Sequence, residues 1–228
     1  MTQRFSERVF KRVEPLWNAY LEHPFVKGIG EGTVDEEKFK HYMRQDYVYL
    51  IEYSRIFAIG AAKARDLETM TIFSELLHGT MSYEMDLHRK YAATFGISND
   101  ELEATEPSAT VIAYTSYMLN KAQIGGVDHA MAAVLACAWS YNFIGKELAA
   151  WPGATEHKLY GNWVTMYSSD GFSKIAEDSI RLLDAITAGK PERELKELED
   201  IIVKTSYFEY MFWDMAENTS MWPVEPIA

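Results

Sequence analysis

The chain has 228 residues, 48% hydrophobic and 14% aromatic, enough to bury a full core as one domain and too apolar for a disordered segment. Its 34 Asp and Glu outnumber 22 Lys and Arg, giving a net charge of −12. That balance excludes the basic footprint expected of a nucleic-acid partner or an anionic membrane surface.

The opening residues, MTQRFSERVFKRVEPLW, contain no apolar core of the kind a signal peptide needs. The longest nearly uncharged stretch, 111–145, is interrupted by Lys121, Gly125, Gly126, Asp128 and His129, so no membrane span is expected. A single cysteine, Cys137, suits a reducing compartment, and the location expected is cytoplasmic.

Strand signals are nearly absent, while helical periodicity recurs. Residues 3–22 predict an amphipathic helix with Phe5, Val9, Val13, Leu16 and Tyr20 on one stripe. HPFVKGIGEGT (23–33) reads as a turn-rich connection because it holds Pro and several Gly. Long helices are predicted over 35–63 and 67–95, the second closed by Gly96. An acidic loop, NDELEATEPS, leads to a helix over 109–121 that stops at Gly125-Gly126. Further helices follow over 127–150, 155–168, 171–188 and 192–218, and the tail MWPVEPIA is irregular. The fold class expected is all-α: one domain, residues 1–228, a bundle of roughly eight helices.

Three polar side chains fall on apolar helix faces. Asp46 has Phe39, Tyr42, Met43, Tyr49, Leu50 and Tyr53 at helical spacing. A carboxylate buried there must be paired or hydrogen-bonded. It is either a core Asp tied to tyrosine hydroxyls or a planar acceptor aimed at the N–H edge of a ligand such as an aminopyrimidine. Glu209 sits in TSYFEYMFWDM, the most aromatic stretch of the chain. It is either a boundary residue that reaches solvent or a general acid/base whose pKa desolvation raises. Cys137 lies in AMAAVLACAWSYNFIG with Tyr141 one turn later. It is either small packing or a nucleophile, which needs a neighbour that favours the thiolate. Tyr49, Tyr114, Tyr141 and Tyr167 fall near these positions, as core or as the flat walls of a polar pocket.

Other constellations are weaker. GIGEG (28–32) lacks the strand and the Lys-Ser/Thr of a phosphate loop, and no Gly-x-Ser-x-Gly elbow occurs. Glu84-x-x-x-His88, with His78 upstream, is the best metal candidate. A di-metal bundle would want a second acid/His set, which His41, His129 and His157 do not supply, so no metal site is expected.

Taken in order, HPFVKGIGEGT, FKHYMRQDYVYL (39–50), HGTMSYEMDLHRKYA (78–92), SATVIAYTSYM (108–118), LACAWSYNFIGKEL (135–148), the W-x-x-x-Y of 163–167 and SYFEYMFWDMA (206–216) resemble the TenA, or thiaminase II, family. The resemblance runs to about residue 217 and implies a haem-oxygenase-like helical fold and a homotetramer. It implies a hydrolase that releases hydroxymethylpyrimidine from aminomethylpyrimidine, with thiamine itself cleaved by some members, in thiamine salvage and with no cofactor. By the same resemblance Cys137 matches the nucleophile, Glu209 the acid/base, and Asp46 the carboxylate that binds the ring; Tyr114 and Tyr141 surround the site, and Tyr49, Tyr167 and Phe212 pack around the ring. Ala136 and Ala138 stand where the family often has Pro and an aromatic residue. Two alternatives remain open: a non-catalytic pyrimidine-binding regulator, and a di-iron oxygenase on the same fold.

Overall fold

A computed structural model describes residues 4–224. The regular structure of the described residues is helical, α1 to α11 with one π-helical turn, and contains no strand. Their contacts divide into two compact units, each drawn from separate stretches: residues 4–34 with 131–213, and residues 35–130 with 214–224.

In the first unit, α1 (Phe5–Leu21) buries Val9, Val13, Trp17 and Tyr20. The stripe therefore centres on Trp17, and Leu16 lies at its margin. The helix packs on α10 (Asp170–Thr187). Both the amide and the hydroxyl of Ser6 donate to the Asp184 carboxylate, at 2.8 and 2.7 Å. The connection expected over 23–33 is instead a helix, α2 (Pro24–Glu31). Pro24 presets φ at the first helical position, the His23 ring accepts the Phe25 amide, and Gly32 at φ 71° ends the helix in the left-handed region. Gly28 and Gly30 serve packing rather than turning: a Cβ on Gly30 would stand 2.7 Å from the Trp151 ring and 2.8 Å from Leu148.

The second unit is organised on α3 (Glu36–Lys63), against which α4 (Leu67–Gly79) and α7 (Ala109–Ile124) pack. Asp35 caps α3 through the amides of Glu37 and Lys38. The Lys63 ammonium donates to the carbonyls of Ala122 and Gly125 at 2.8 and 2.7 Å, closing the C-terminus of α7. Gln45 donates to the Glu106 carbonyl at 3.0 Å and accepts the Ser108 amide at 2.8 Å, tying down the entry to α7.

The single helix expected over 67–95 is interrupted. A π turn, Thr80–Glu84, separates α4 from α5 (Met85–Thr94). Each π turn holds an extra residue, so the register of α5 is offset from that of α4. The acidic loop contains a short helix, α6 (Asn99–Glu103), closed by a capping box between Ser98 and Glu101. The predicted helix at 155–168 begins only at Gly161, as α9 (Gly161–Ser168). The helices at α8 (Val127–Ala149) and α11 (Glu192–Asn218) occur as expected. The tail is irregular through residue 224, and its last residues lie outside those described. No helix among the described residues is long and apolar enough to cross a membrane.

Candidate active site residues

In the second unit, Asp46 lies on α3 and is 6% exposed. Its predicted apolar surroundings, Phe39, Tyr42, Met43, Tyr49, Leu50 and Tyr53, are all buried. One partner of its carboxyl is an imidazole: Nδ1 of His88, on α5, is 3.4 Å from Asp46 Oδ2. The other nitrogen of His88, Nε2, lies 2.7 Å from the Met43 carbonyl oxygen and donates to it, because a carbonyl can only accept. Burial pushes His88 down to about 4, against a smaller upward pull from that hydrogen bond.

Tyr49 and Tyr114 meet in the same unit with ring centroids 5.2 Å apart, and Tyr53 adds a stacked ring 5.6 Å from Tyr49. Both Tyr49 and Tyr114 are buried. A carboxyl with two coplanar oxygens and a set of flat rings is suited to a flat heterocycle bearing N–H groups. On another part of α3 and α7 a groove of about 350 Å³ is lined by Val48, Ile51, Glu52, Val111, Ile112 and Thr115, and includes none of the candidate residues.

In the first unit, residues 130–136 of α8 are buried, and Cys137 is the first of the run to be partly exposed. One turn later Tyr141 enters an aromatic cluster: its ring centroid is 4.8 Å from Tyr167, 5.8 Å from Trp163 and 5.1 Å from Trp213. Trp163 and Tyr167, one turn apart on α9, are 4.6 Å apart. Phe212 joins through Trp213, edge to face at 6.5 Å. The Tyr167 backbone is fixed by Asn142, whose amide donates to its carbonyl at 2.9 Å and to the Ser173 hydroxyl at 2.9 Å.

Glu209, on α11, is 2% exposed, so the carboxyl does not escape to solvent as a boundary residue would. Its stretch of α11 is anchored to α1. Tyr20 donates its hydroxyl to the Ser206 carbonyl, and the Trp17 indole N–H donates to the Ser206 hydroxyl at 3.1 Å. Burial first, and the negative charge of Glu209 second, hold the Tyr20 hydroxyl well above its ordinary pKa. A buried carboxyl and a partly exposed cysteine are residue types that nucleophilic catalysis with proton transfer uses.

The structure thus groups Asp46, Tyr49 and Tyr114 in one unit, and Cys137, Tyr141, Tyr167, Glu209 and Phe212 in the other. Sequence reasoning took Glu84 and His88 together as a metal candidate. The structure gives them separate partners: Glu84 binds the Thr80 hydroxyl, and His88 binds Met43 and Asp46. No group of three or more His, Cys, Asp or Glu arranged to hold a metal occurs among the described residues. In the sequence Trp213 stands out only as one ring of the aromatic stretch that holds Glu209, and Tyr20 only as a member of the apolar stripe of the first helix. Their spacing alone gave no sign of the rings they would meet.

The sequence family described as TENA/THI-4/PQQC matches residues 10–219. An aminopyrimidine aminohydrolase from Halalkalibacterium halodurans is 50% identical, covering 96% of this chain and 97% of its own length. A Silicibacter protein described as a TenA family transcription regulator shares the structure with a TM-score of 0.86 at 31% identity, covering 93% of this chain and 96% of that one. A Shewanella denitrificans protein described as having a heme oxygenase-like fold has a TM-score of 0.75 at 14% identity, covering 93% and 92%, a likeness of fold alone.

Proposed function

The chain belongs to the TENA/THI-4/PQQC family, and we propose that it works as an aminopyrimidine aminohydrolase that converts aminomethylpyrimidine to hydroxymethylpyrimidine in thiamine salvage, with thiamine as a possible second substrate. The observation that carries the activity is the 50% identity to an enzyme of that name along nearly the whole of both chains. The family match spans 10–219 and so takes in both compact units, which supports treating 1–228 as one functional domain. A cytoplasmic homotetramer is part of the same proposal.

In the proposed mechanism the Cys137 thiolate adds to the pyrimidine ring. The displaced ring electrons expel the amine from the exocyclic methylene, and Glu209 protonates that amine as it leaves. Water then adds to the methylene, returning a proton to Glu209, and the thiolate departs as the aromatic ring re-forms. Atoms balance as amine plus water giving alcohol plus ammonia, and one difficult displacement becomes two easier steps. Asp46 accepts an N–H of the 4-amino group, and of the adjoining ring nitrogen once that nitrogen is protonated, and so stabilises charge developing on the ring. Tyr114 and Tyr141 surround the substrate, with Tyr49, Tyr167 and Phe212 packing against the ring. The partial exposure of Cys137 directly after the buried run 130–136 supports its assignment.

The test is turnover of aminomethylpyrimidine by the native chain and by Cys137→Ala. Loss of product with the fold intact is expected, and undiminished turnover removes Cys137 from the chemistry. A second reading, a pyrimidine-binding regulator, draws on the regulator description of the Silicibacter relative. It predicts pyrimidine binding without product on prolonged incubation, and the net charge of −12 counts against direct contact with DNA.

A further inference from the structure

His88 is buried, belongs to none of the steps above, and touches the one carboxyl proposed to bind the ring. Its Nε2–H is committed to the Met43 carbonyl at 2.7 Å. In a neutral imidazole the remaining nitrogen, Nδ1, then carries a lone pair and no proton. That lone pair faces Asp46 Oδ2 at 3.4 Å, where two acceptors would repel each other in a dry interior. Contact is favourable only with one proton on that edge.

We infer that His88 is a positioning residue for Asp46: anchored through Nε2 to Met43, it shares a single proton between Nδ1 and Asp46 Oδ2, and so fixes the plane in which the carboxyl meets an aminopyrimidine. The inference deepens the proposed function and rests on it for the identity of the ligand.

The surroundings hold the ring in place. The Tyr47 ring centroid is 5.9 Å from that of His88, and the Tyr47 hydroxyl bonds both the Glu103 carboxylate and, at 3.2 Å, the Arg89 guanidinium. Burial of the site and, less strongly, the positive charge of Arg89 disfavour a charged His88, so the shared proton lies nearer Asp46 Oδ2 than Nδ1. A flat ligand is sensitive to the tilt of the carboxyl that receives it, because the two parallel hydrogen bonds between a carboxyl and an aminopyrimidine edge need one common plane.

Two measurements test this. In protein labelled with nitrogen-15 at histidine, and assigned through His88→Leu, Asp46→Asn is expected to move the Nδ1 resonance of His88 far more than that of Nε2. An Nδ1 resonance unchanged by Asp46→Asn overturns the shared proton, and this readout needs no ligand. In steady-state kinetics with aminomethylpyrimidine, His88→Leu is expected to lower kcat/KM by about 10–100-fold, mainly through KM, as losing an outer partner of a functional ligand does elsewhere. His88→Asn, whose amide can still hydrogen-bond Oδ2 as donor or acceptor, is expected to recover most of that loss. Equal kinetics for folded Leu and Asn variants overturn the positioning role. If the native chain neither binds nor hydrolyses the pyrimidine, the proposed function fails, while the resonance experiment still decides the His88–Asp46 link.

Discussion

Gly145 of α8 and Tyr167 at the end of α9 approach so closely that a Cβ on Gly145 would stand 2.6 Å from the Tyr167 carbonyl carbon and 2.8 Å from its Cβ. Backbone cannot move aside as a flexible side chain can, so this contact sets where Tyr167 lies in the aromatic cluster with Tyr141 and Trp163. Gly145→Ala is expected to destabilise the protein by about 1–3 kcal/mol, the usual cost of overpacking a core. Urea unfolding measures this. A variant as stable as the native chain would show that α9 yields freely.

Glu209→Gln keeps the shape of the side chain and removes its proton transfer. If Glu209 gives the leaving amine its proton, kcat for aminomethylpyrimidine falls by about 100–10,000-fold, the range general acid/base groups contribute. Thermal unfolding of the variant verifies that the fold is intact. A kcat within a few-fold of native would remove Glu209 from the proposed proton path.

Glu84 and His88, one turn apart, give opposite pH dependences. Burial raises Glu84 from 4.5 to about 7, so the folded chain holds its proton more tightly than the unfolded chain does. Stability from Glu84 is fully present below about 4.5 and is lost as pH rises to about 7. His88, lowered from 6.5 to about 4, works the other way: its contribution is present above about 6.5 and is lost as pH falls toward 4. Glu84→Gln keeps a partner for Thr80 and removes the first slope. The variant is expected to gain over the native chain above pH 7, by up to about 3 kcal/mol at roughly 1.4 kcal/mol per pH unit. Denaturant titrations at pH 5 and pH 8 supply the comparison, and an equal difference at both pH values would contradict the raised pKa.

Ser140, three residues after Cys137, is fully buried and its hydroxyl has no partner among the described residues. Other helical hydroxyls, those of Ser54, Thr115, Ser179, Thr205 and Ser206, each donate to a carbonyl one turn earlier. Leaving a buried hydroxyl unsatisfied costs about 1–3 kcal/mol. Ser140→Ala is expected to stabilise the chain by about 1 kcal/mol, raising Tm by roughly 2–4 °C for a protein of this length. A lower Tm in calorimetry would mean that the hydroxyl is satisfied in solution.

The helices were legible because their signals are local. Asp35, Asp66, Ser98, Ser108 and Ser169 cap helix starts through side chains that bond amides two or three residues on. The exceptions are equally specific. HPFVKGIGEGT looked like a loop because its glycines suggested turns, yet Gly28 is small to admit Val34 and Gly30 to admit Trp151 and Leu148, the last two more than a hundred residues away and so invisible to a local pattern. The π turn at Thr80–Glu84 was hidden for a similar reason, since its periodicity differs from that of an α-helix by a single residue.

The sequence by itself determined that Asp46, Cys137 and Glu209 stand on apolar faces, because helical spacing alone puts them there, and the ordered family segments gave them their expected roles. Tertiary structure decided what surrounds them. It sealed Glu209 and left Cys137 partly exposed, and it brought Tyr167 and Trp163 against Tyr141. It also turned His88, which helical spacing alone left without a role, toward Asp46 and the Met43 carbonyl. The physical reason is range: a helical face is set by residues three and four apart, whereas the partner of a buried polar group is set by how separate helices pack.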